Sequence, residues 1–235
     1  TINTQPALFV VESLLIDDLK RQGRVPSIVA GHSLGEIVAL YAAEVFDMET
    51  ALFLLKKRSE LMASAGGGAM TAVMGFDRFQ LDDLISTTAD VVIANDNSDS
   101  QVVLSGSPEA VNSVVTNLKS KRSVPLKVSG AFHSPLMQGA KKKLKNIINK
   151  TLFSKSKIPI YQNITGKKEF DSNKIKINLI NQIDNPVKWL QTITNMSNDK
   201  YNYFIEVGPK NILKKLNIQI LENSITKSFE ELIKL

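Results

Sequence analysis

Gly31-His32-Ser33-Leu34-Gly35 carries the pattern glycine-x-serine-x-glycine. Such a serine sits on a sharp strand-to-helix turn: glycines two residues either side let the backbones pack closely, and the following helix points its N-terminus at developing negative charge. The chemistry on offer is nucleophilic attack on an acyl carbon. Leu34 follows the nucleophile, so its backbone N–H is the natural half of an oxyanion hole. A serine hydroxyl needs a base, and the sequence holds two histidines. His32 is adjacent to Ser33, and neighbouring side chains on such a turn diverge. His133, in Gly130-Ala131-Phe132-His133-Ser134-Pro135, is the better candidate. No acid stands out beside it, so a backbone carbonyl is the expected orienting group. Arg58, in Lys56-Lys57-Arg58, reads either as part of a solvated charge run or as a bidentate clamp for a carboxylate. The competing reading of the serine motif is a buried structural turn, and of His133 a helix-start or core histidine.

The elements needed to position these groups are visible in outline. Apolar residues at Leu8, Val11, Leu15 and Leu19 predict a helix over residues 5–21, stopped near Gly23. Val25 to Ala30 predicts a buried strand, and residues 34–44 and 48–63 predict helices, the second ending before Gly66-Gly67-Gly68. The rhythm then changes: strand 69–75, helix 78–86, strands 90–94 and 101–105, helix 108–120, strand 123–128. In order this is β-α-β-β-α-β, the ferredoxin-like unit. A helix over 135–150, strands at 158–161 and 203–207 and a helix around Trp189 complete the outline. The expected fold is therefore α/β: a large domain, 1–66 and 129–235, with a mainly parallel sheet of the α/β-hydrolase kind, and an inserted ferredoxin-like subdomain, 67–128.

Composition sets the outer bounds. The 235 residues include no cysteine, which excludes disulfides, thiolate metal sites and a cysteine nucleophile within them, and two histidines exclude a three-histidine metal site. No run approaches the roughly 18 apolar residues of a membrane span, and neither a membrane segment nor a secretory leader is expected. The net charge is +6, unevenly placed: residues 1–140 hold 11 basic and 15 acidic residues, residues 141–235 hold 18 lysines, no arginine and 8 acids. Lysine without arginine or interleaved aromatics is a poor nucleic-acid signature. Solvated helix faces account for Lys141-Lys142-Lys143 and Lys145, and an acidic protein is the other partner such a half would attract.

Several segments together resemble malonyl-CoA:acyl carrier protein transacylases of type II fatty acid synthesis. These are Gly31 to Glu36, the Arg58 helix, Gly130 to Met137, Asn185-Pro186-Val187-Lys188-Trp189 and Glu206-Val207-Gly208-Pro209, in that order and spacing. Asn97-Ser98 and Gln101 to Gly106 fit the segment of this family that precedes the second helix of its small domain. The resemblance covers essentially the whole chain. It implies ping-pong transfer, with Ser33 as nucleophile, His133 as general base and Arg58 pairing the malonyl carboxylate. It implies that the main chain of Gln182 orients the histidine, that Phe132 marks a malonyl rather than a branched-acyl preference, and that His32 and Asn97 contact substrate. It further implies no resident cofactor, CoA being a substrate handle and phosphopantetheine arriving on the carrier protein, and a monomer acting in the bacterial cytoplasm or a plastid. The family begins with a strand and a Gly-Gln-Gly loop that supplies the other oxyanion donor. Neither is present here, so an upstream segment is expected to have been lost or omitted. A serine esterase or thioesterase of the α/β-hydrolase type and an inactive remnant are the alternatives. The early position of His133 and the inserted unit argue against the esterase.

Overall fold

The computed structural model describes residues 2–233. Helix α1 (Thr4–Arg21) leads into the short strand β1 (Val29–Ala30), and the chain turns at Ser33 into α2 (Leu34–Ala42) and then α3 (Met48–Ser64). Next come β2 (Ala69–Phe76), α4 (Arg78–Thr87), β3 (Val91–Ser98), β4 (Gln101–Gly106), α5 (Pro108–Asn117) and β5 (Ser120–Pro125). A 3-10 turn (Pro135–Met137) opens α6 (Gln138–Lys150), followed by β6 (Ile160–Tyr161), β7 (Lys168–Glu169), α7 (Ser172–Gln182), β8 (Val187–Lys188) and α8 (Trp189–Asn198). The chain continues through β9 (Tyr203–Glu206), α9 (Ile212–Ile220), β10 (Ile225–Ser228) and α10 (Phe229–Ile233). Side-chain caps start several helices where a short acceptor precedes them: Asp47 takes Thr50 N–H, Asp77 takes Gln80 N–H, and Ser107 takes Ala110 N–H with Pro108 in the first turn.

The strands of the described residues fall in three sheets. In the outer part β1 pairs parallel with β6, β6 pairs antiparallel with β7, and β9 and β10 form a separate parallel pair, so parallel pairing predominates there without joining into one sheet among the described residues. The segment 25–30 is a strand only at Val29–Ala30, because Val25 is 69% exposed and finds no partner strand. The inserted run is ordered β5-β2-β4-β3 with antiparallel pairing throughout. Its helices α4 and α5 supply Leu81, Val111 and Val114 to a core of their own with Val73, Val91, Val102 and Leu104. A fifth strand, β8, joins this sheet from outside the run, parallel to β3 at Asn95 and Asp96. β3 carries two irregularities, between Ile93 and Asn95 and between Asp96 and Ser98. Such bulges re-aim side chains, and the second one falls at Asn97.

The main core lies under the serine turn, where Ile37 and Leu40 of α2, Leu54 and Leu55 of α3, Met137 of the 3-10 turn, Leu144 of α6, Leu179 of α7 and Ile183 just after it meet. Helix α1 covers this core, but on a different face from the one expected. The buried stripe is Gln5, Phe9, Ser13, Ile16 and Leu19, whereas Val11 is 43% exposed. The connection into the inserted run passes through Gly66, Gly67 and Gly68, all at positive φ. A side chain at Gly68 would place its Cβ 2.5 Å from that of Ala131, so this crossing is seated directly against the loop that carries His133.

Candidate active site

The serine turn is sterically exacting on one side only. A Cβ on Gly31 would lie 1.8 Å from Gly35 O, so the strand and helix backbones touch there and only glycine fits. A Cβ on Gly35 would meet nothing within 4 Å, which corrects the symmetric role expected for the two glycines. Ser33 itself has φ 56° and ψ −107°, a conformation that costs a non-glycine residue about 1–3 kcal/mol and persists only when its surroundings hold it. What holds it is Asn163. Its Oδ1 accepts Ser33 N–H at 2.7 Å and its Nδ2 donates to Gly31 O at 2.6 Å. The next amide, Leu34 N–H, has no acceptor among the described residues and stands at the start of α2.

His133 meets this turn from the other side of the chain. Its Nε2 lies 2.8 Å from Ser33 Oγ. Its Nδ1 lies 2.8 Å from the main-chain oxygen of Gln182, which only accepts, so Nδ1 carries the proton and Nε2 is left as an acceptor for the serine hydroxyl. His133 also sits at positive φ (58°), and its backbone N–H is fixed to Ile183 O at 3.1 Å. Burial, and secondarily the Arg58 guanidinium, push the imidazole down to about 3. At neutral pH it is the neutral base that the chemistry needs.

Arg58 is not part of a solvated run: it is 2% exposed and projects from the buried stripe of α3. Nη1 donates to Gln5 Oε1 at 2.5 Å, and Nη2 donates to Gln182 Oε1 at 2.9 Å and to Ser33 Oγ at 3.0 Å. None of the ion pairs among the described residues includes it. Burial lowers its pKa to about 10, and only the more distant Glu36 pulls it back. A desolvated guanidinium satisfied by neutral oxygens, one of them the nucleophile, has capacity for an anionic acyl group. Behind it, Glu36 on the first turn of α2 is also buried. It accepts from Gln182 Nε2 at 2.5 Å and from Asn163 N–H at 3.3 Å. Burial raises its pKa to about 7, against the lowering effect of those hydrogen bonds. Gln182 also donates to Ser33 O at 2.8 Å, so this one side chain ties nucleophile, clamp and buried acid together, beyond the main-chain role expected of it.

His32 diverges from Ser33 as expected. Its Nε2 lies 2.9 Å from Asn97 Oδ1 and its ring rests 5.6 Å, centroid to centroid, from Trp189. Burial lowers its pKa too. His32 and Asn97 therefore join the serine turn to the inserted sheet. Phe132 is buried in the main core beside Gly130. Sequence reasoning missed Asn163 and Gln5, and quoted Glu36 without a role. No cluster of three or more His, Cys, Asp or Glu side chains that could hold a metal ion occurs among the described residues.

The comparisons with known proteins agree with this geometry. Residues 1–233 match the acyl transferase domain family. A malonyl CoA-acyl carrier protein transacylase from Synechocystis is 44% identical over 216 residues, 92% of this chain and 74% of the relative. The crystal structure of a Synechocystis malonyl-CoA:ACP transacylase superposes with a TM-score of 0.97 at 40% identity, covering 100% of this chain and 81% of that one. A malonyl-transacylase in complex with a type II polyketide acyl carrier protein superposes at 0.92 with 32% identity, covering 97% and 76%. With a serine, a neutral histidine and a buried arginine converging on one acyl-sized point, and this likeness along almost its full length, the chain belongs to the malonyl CoA-acyl carrier protein transacylase family.

Proposed function

We propose that this chain moves a malonyl group from malonyl-CoA to the phosphopantetheine thiol of acyl carrier protein through a malonyl ester on Ser33. The observation that carries the reading is the placement of Ser33 Oγ, 2.8 Å from His133 Nε2 and 3.0 Å from Arg58 Nη2. His133 takes the hydroxyl proton as Oγ attacks the thioester carbonyl, and Leu34 N–H faces the oxyanion. The proton then passes to the departing CoA sulfur. In the second half the carrier thiol gives its proton to His133 and attacks the ester, and Ser33 takes a proton back. Arg58 receives the malonyl carboxylate, and a neutral acyl chain leaves it unpaired, so selectivity comes from the same contact.

Every step is nucleophilic or acid–base, so the reading calls for no cofactor. His32 and Asn97 line the approach to Ser33, and Phe132 shapes the acyl side of the loop. We read 67–128, with its β5-β2-β4-β3 order, as a ferredoxin-like subdomain set into an α/β-hydrolase-like domain of residues 1–66 and 129–235. We further read the protein as a monomer acting in the cytoplasm, the bacterial origin of the relatives supporting the compartment alone. Intact mass after brief exposure to malonyl-CoA tests the central claim. The parent gains one malonyl group and Ser33→Ala gains none; an adduct that persists in the variant refutes the assignment of Ser33.

A further inference from the structure

Two buried charges face each other across one amide. Arg58 Nη2 donates to Gln182 Oε1 at 2.9 Å, and Gln182 Nε2 donates to Glu36 Oε2 at 2.5 Å. Both charged side chains are at most 2% exposed. Glu36 takes part in no ion pair among the described residues, and its second oxygen is held by Asn163 N–H. The other titratable groups of the site are His133, on the loop before the 3-10 turn, and His32, ahead of α2. Both are held neutral by burial. Asp184, on the turn after α7, is committed to Lys141 at 3.0 Å and to Asn185 Nδ2 at 2.8 Å. Above about pH 7, where Glu36 is ionised, the resting site thus holds one cation and one carboxylate at balance.

Malonylation of Ser33 upsets that balance. It brings a second carboxylate to Arg58 inside the same water-poor space, leaving two anions to share one cation. Like charges in one desolvated site do not both stay ionised when a proton can relieve them. The newcomer is the poor candidate to accept it, because it gains the guanidinium directly. Glu36 sees that guanidinium only through Gln182, and its position near the middle of the physiological range is consistent with exchange.

We propose that Glu36 is the proton acceptor of the acyl-enzyme: a proton is taken up at its carboxylate when the malonyl ester forms and released when the malonyl group leaves. The proposal rests on the malonyl-transfer reading above. The chemistry is otherwise proton-neutral below the thiol pKa: the ester forms at Ser33 Oγ, the thioester C–S bond breaks, and the hydroxyl proton ends on the CoA sulfur. Any uptake therefore belongs to the protein.

The test is stopped-flow malonylation of the parent in weak buffer with a pH indicator, with intact mass on the same samples. Net uptake is expected to be about half a proton per malonyl-enzyme near pH 7, rising to about 0.7 near pH 8, where the freed CoA thiol gives back about a quarter of a proton, and vanishing near pH 5, because only the ionised fraction can accept. Acetyl-CoA, which brings no second carboxylate, gives an adduct without uptake, and Glu36→Gln gives a malonyl adduct without uptake. Should Glu36→Gln fold poorly, infrared difference spectra of the parent with carbon-13 malonyl-CoA replace it, and a new protonated-carboxyl band that the label does not shift is expected. An adduct without uptake in the parent, undiminished uptake in Glu36→Gln, or no such band overturns the proposal. Absence of any adduct would instead count against the malonyl-transfer reading.

Discussion

Replacing Asn163 by alanine tests whether the strained serine is held by side-chain hydrogen bonds or by the chain's general packing. Asn163 is fully buried, and its amide spans the serine turn by binding Ser33 N–H at 2.7 Å and Gly31 O at 2.6 Å. Removing it leaves one donor and one acceptor without partners, at about 1–3 kcal/mol each. Ser33 is only partly buried, so water recovers part of that loss at its N–H, and we expect a net destabilisation of about 3 kcal/mol. The turn then has about 1–3 kcal/mol of backbone strain to relieve by rotating Ser33 away from φ 56°. A displacement of Oγ by about 1 Å from the line to His133 Nε2 costs on the order of 10²-fold in rate. Urea unfolding reads the first effect, and single-turnover formation of malonyl-Ser33, followed by quenched intact mass, reads the second. An Asn163→Ala protein acylating within about threefold of the parent would refute the view that this amide holds the nucleophile, whatever its stability.

Other consequences follow from the same geometry. Arg58→Ala removes the cation that touches Ser33 Oγ, and truncating one partner of a buried charge pair costs about 2–5 kcal/mol. The ratio of malonyl to acetyl acylation rates should therefore fall by on the order of 10²–10³, and an unchanged ratio in competition with the two CoA thioesters counts against the clamp. His133 stays neutral down to about 3, so acylation by a phosphate-free acetyl thioester should be flat from about pH 8 to pH 5; a break near the ordinary imidazole value would show that the base is not buried as described. On stability the sign is fixed by the depressed folded-state value: the unfolded chain takes the proton first, so stability is lost as pH falls from about 6.5 toward 3. Glu36, raised to about 7, acts in the opposite sense above about 4.5, so the histidine effect is read as the difference between parent and His133→Gln unfolding curves. Finally, Gly31→Ala should abolish folding, because its Cβ would overlap Gly35 O, while Gly35→Ala should be neutral or stabilising by about 0.5–1 kcal/mol as a helical substitution into open space. Equal damage from both in thermal melts would contradict the close approach.

The parts legible in the sequence were those whose physics is local. The serine turn is five contiguous residues between an apolar run and a helix; α3 and the inserted run follow from periodicity that burial matches, while α2, read as a helix, is buried almost all round. His133 followed because the sequence offers only one other histidine. What failed depended on contacts distant in sequence. Val25 reads as part of a strand until no neighbour pairs with it, and α1 buries Gln5 and Ser13 in place of Val11 because Gln5 is wanted by Arg58. Arg58 itself left a readable trace: Ala51, Leu54, Leu55, Arg58 and Met62 share one stripe, so a charge stands where the helical period calls for an apolar residue. Lys56 and Lys57 beside it masked that signal. Asn163 left none, since nothing in its own neighbourhood says that it will reach Gly31 and Ser33 from 130 residues away.

The weakness of the base explains why this arrangement suits transfer between thiols better than hydrolysis. A main-chain carbonyl, not a carboxylate, receives Nδ1–H, and a guanidinium stands nearby. Both features, with burial, disfavour the imidazolium. Hydrolysis forms that imidazolium by taking a proton from water and then uses it to protonate the Ser33 alkoxide. Transfer also returns a proton to Ser33 but takes it from a thiol with pKa about 8.5, roughly seven units below water at about 15.7, so the same base is asked for much less. A poor base therefore discriminates against water by more than it slows the thiol. The malonyl ester on Ser33 should persist in buffer and collapse on adding pantetheine, with the two decay rates read by intact mass. Equal rates with and without the thiol would mean that the neutral orienting group confers no such preference, and that the site is built for hydrolysis after all.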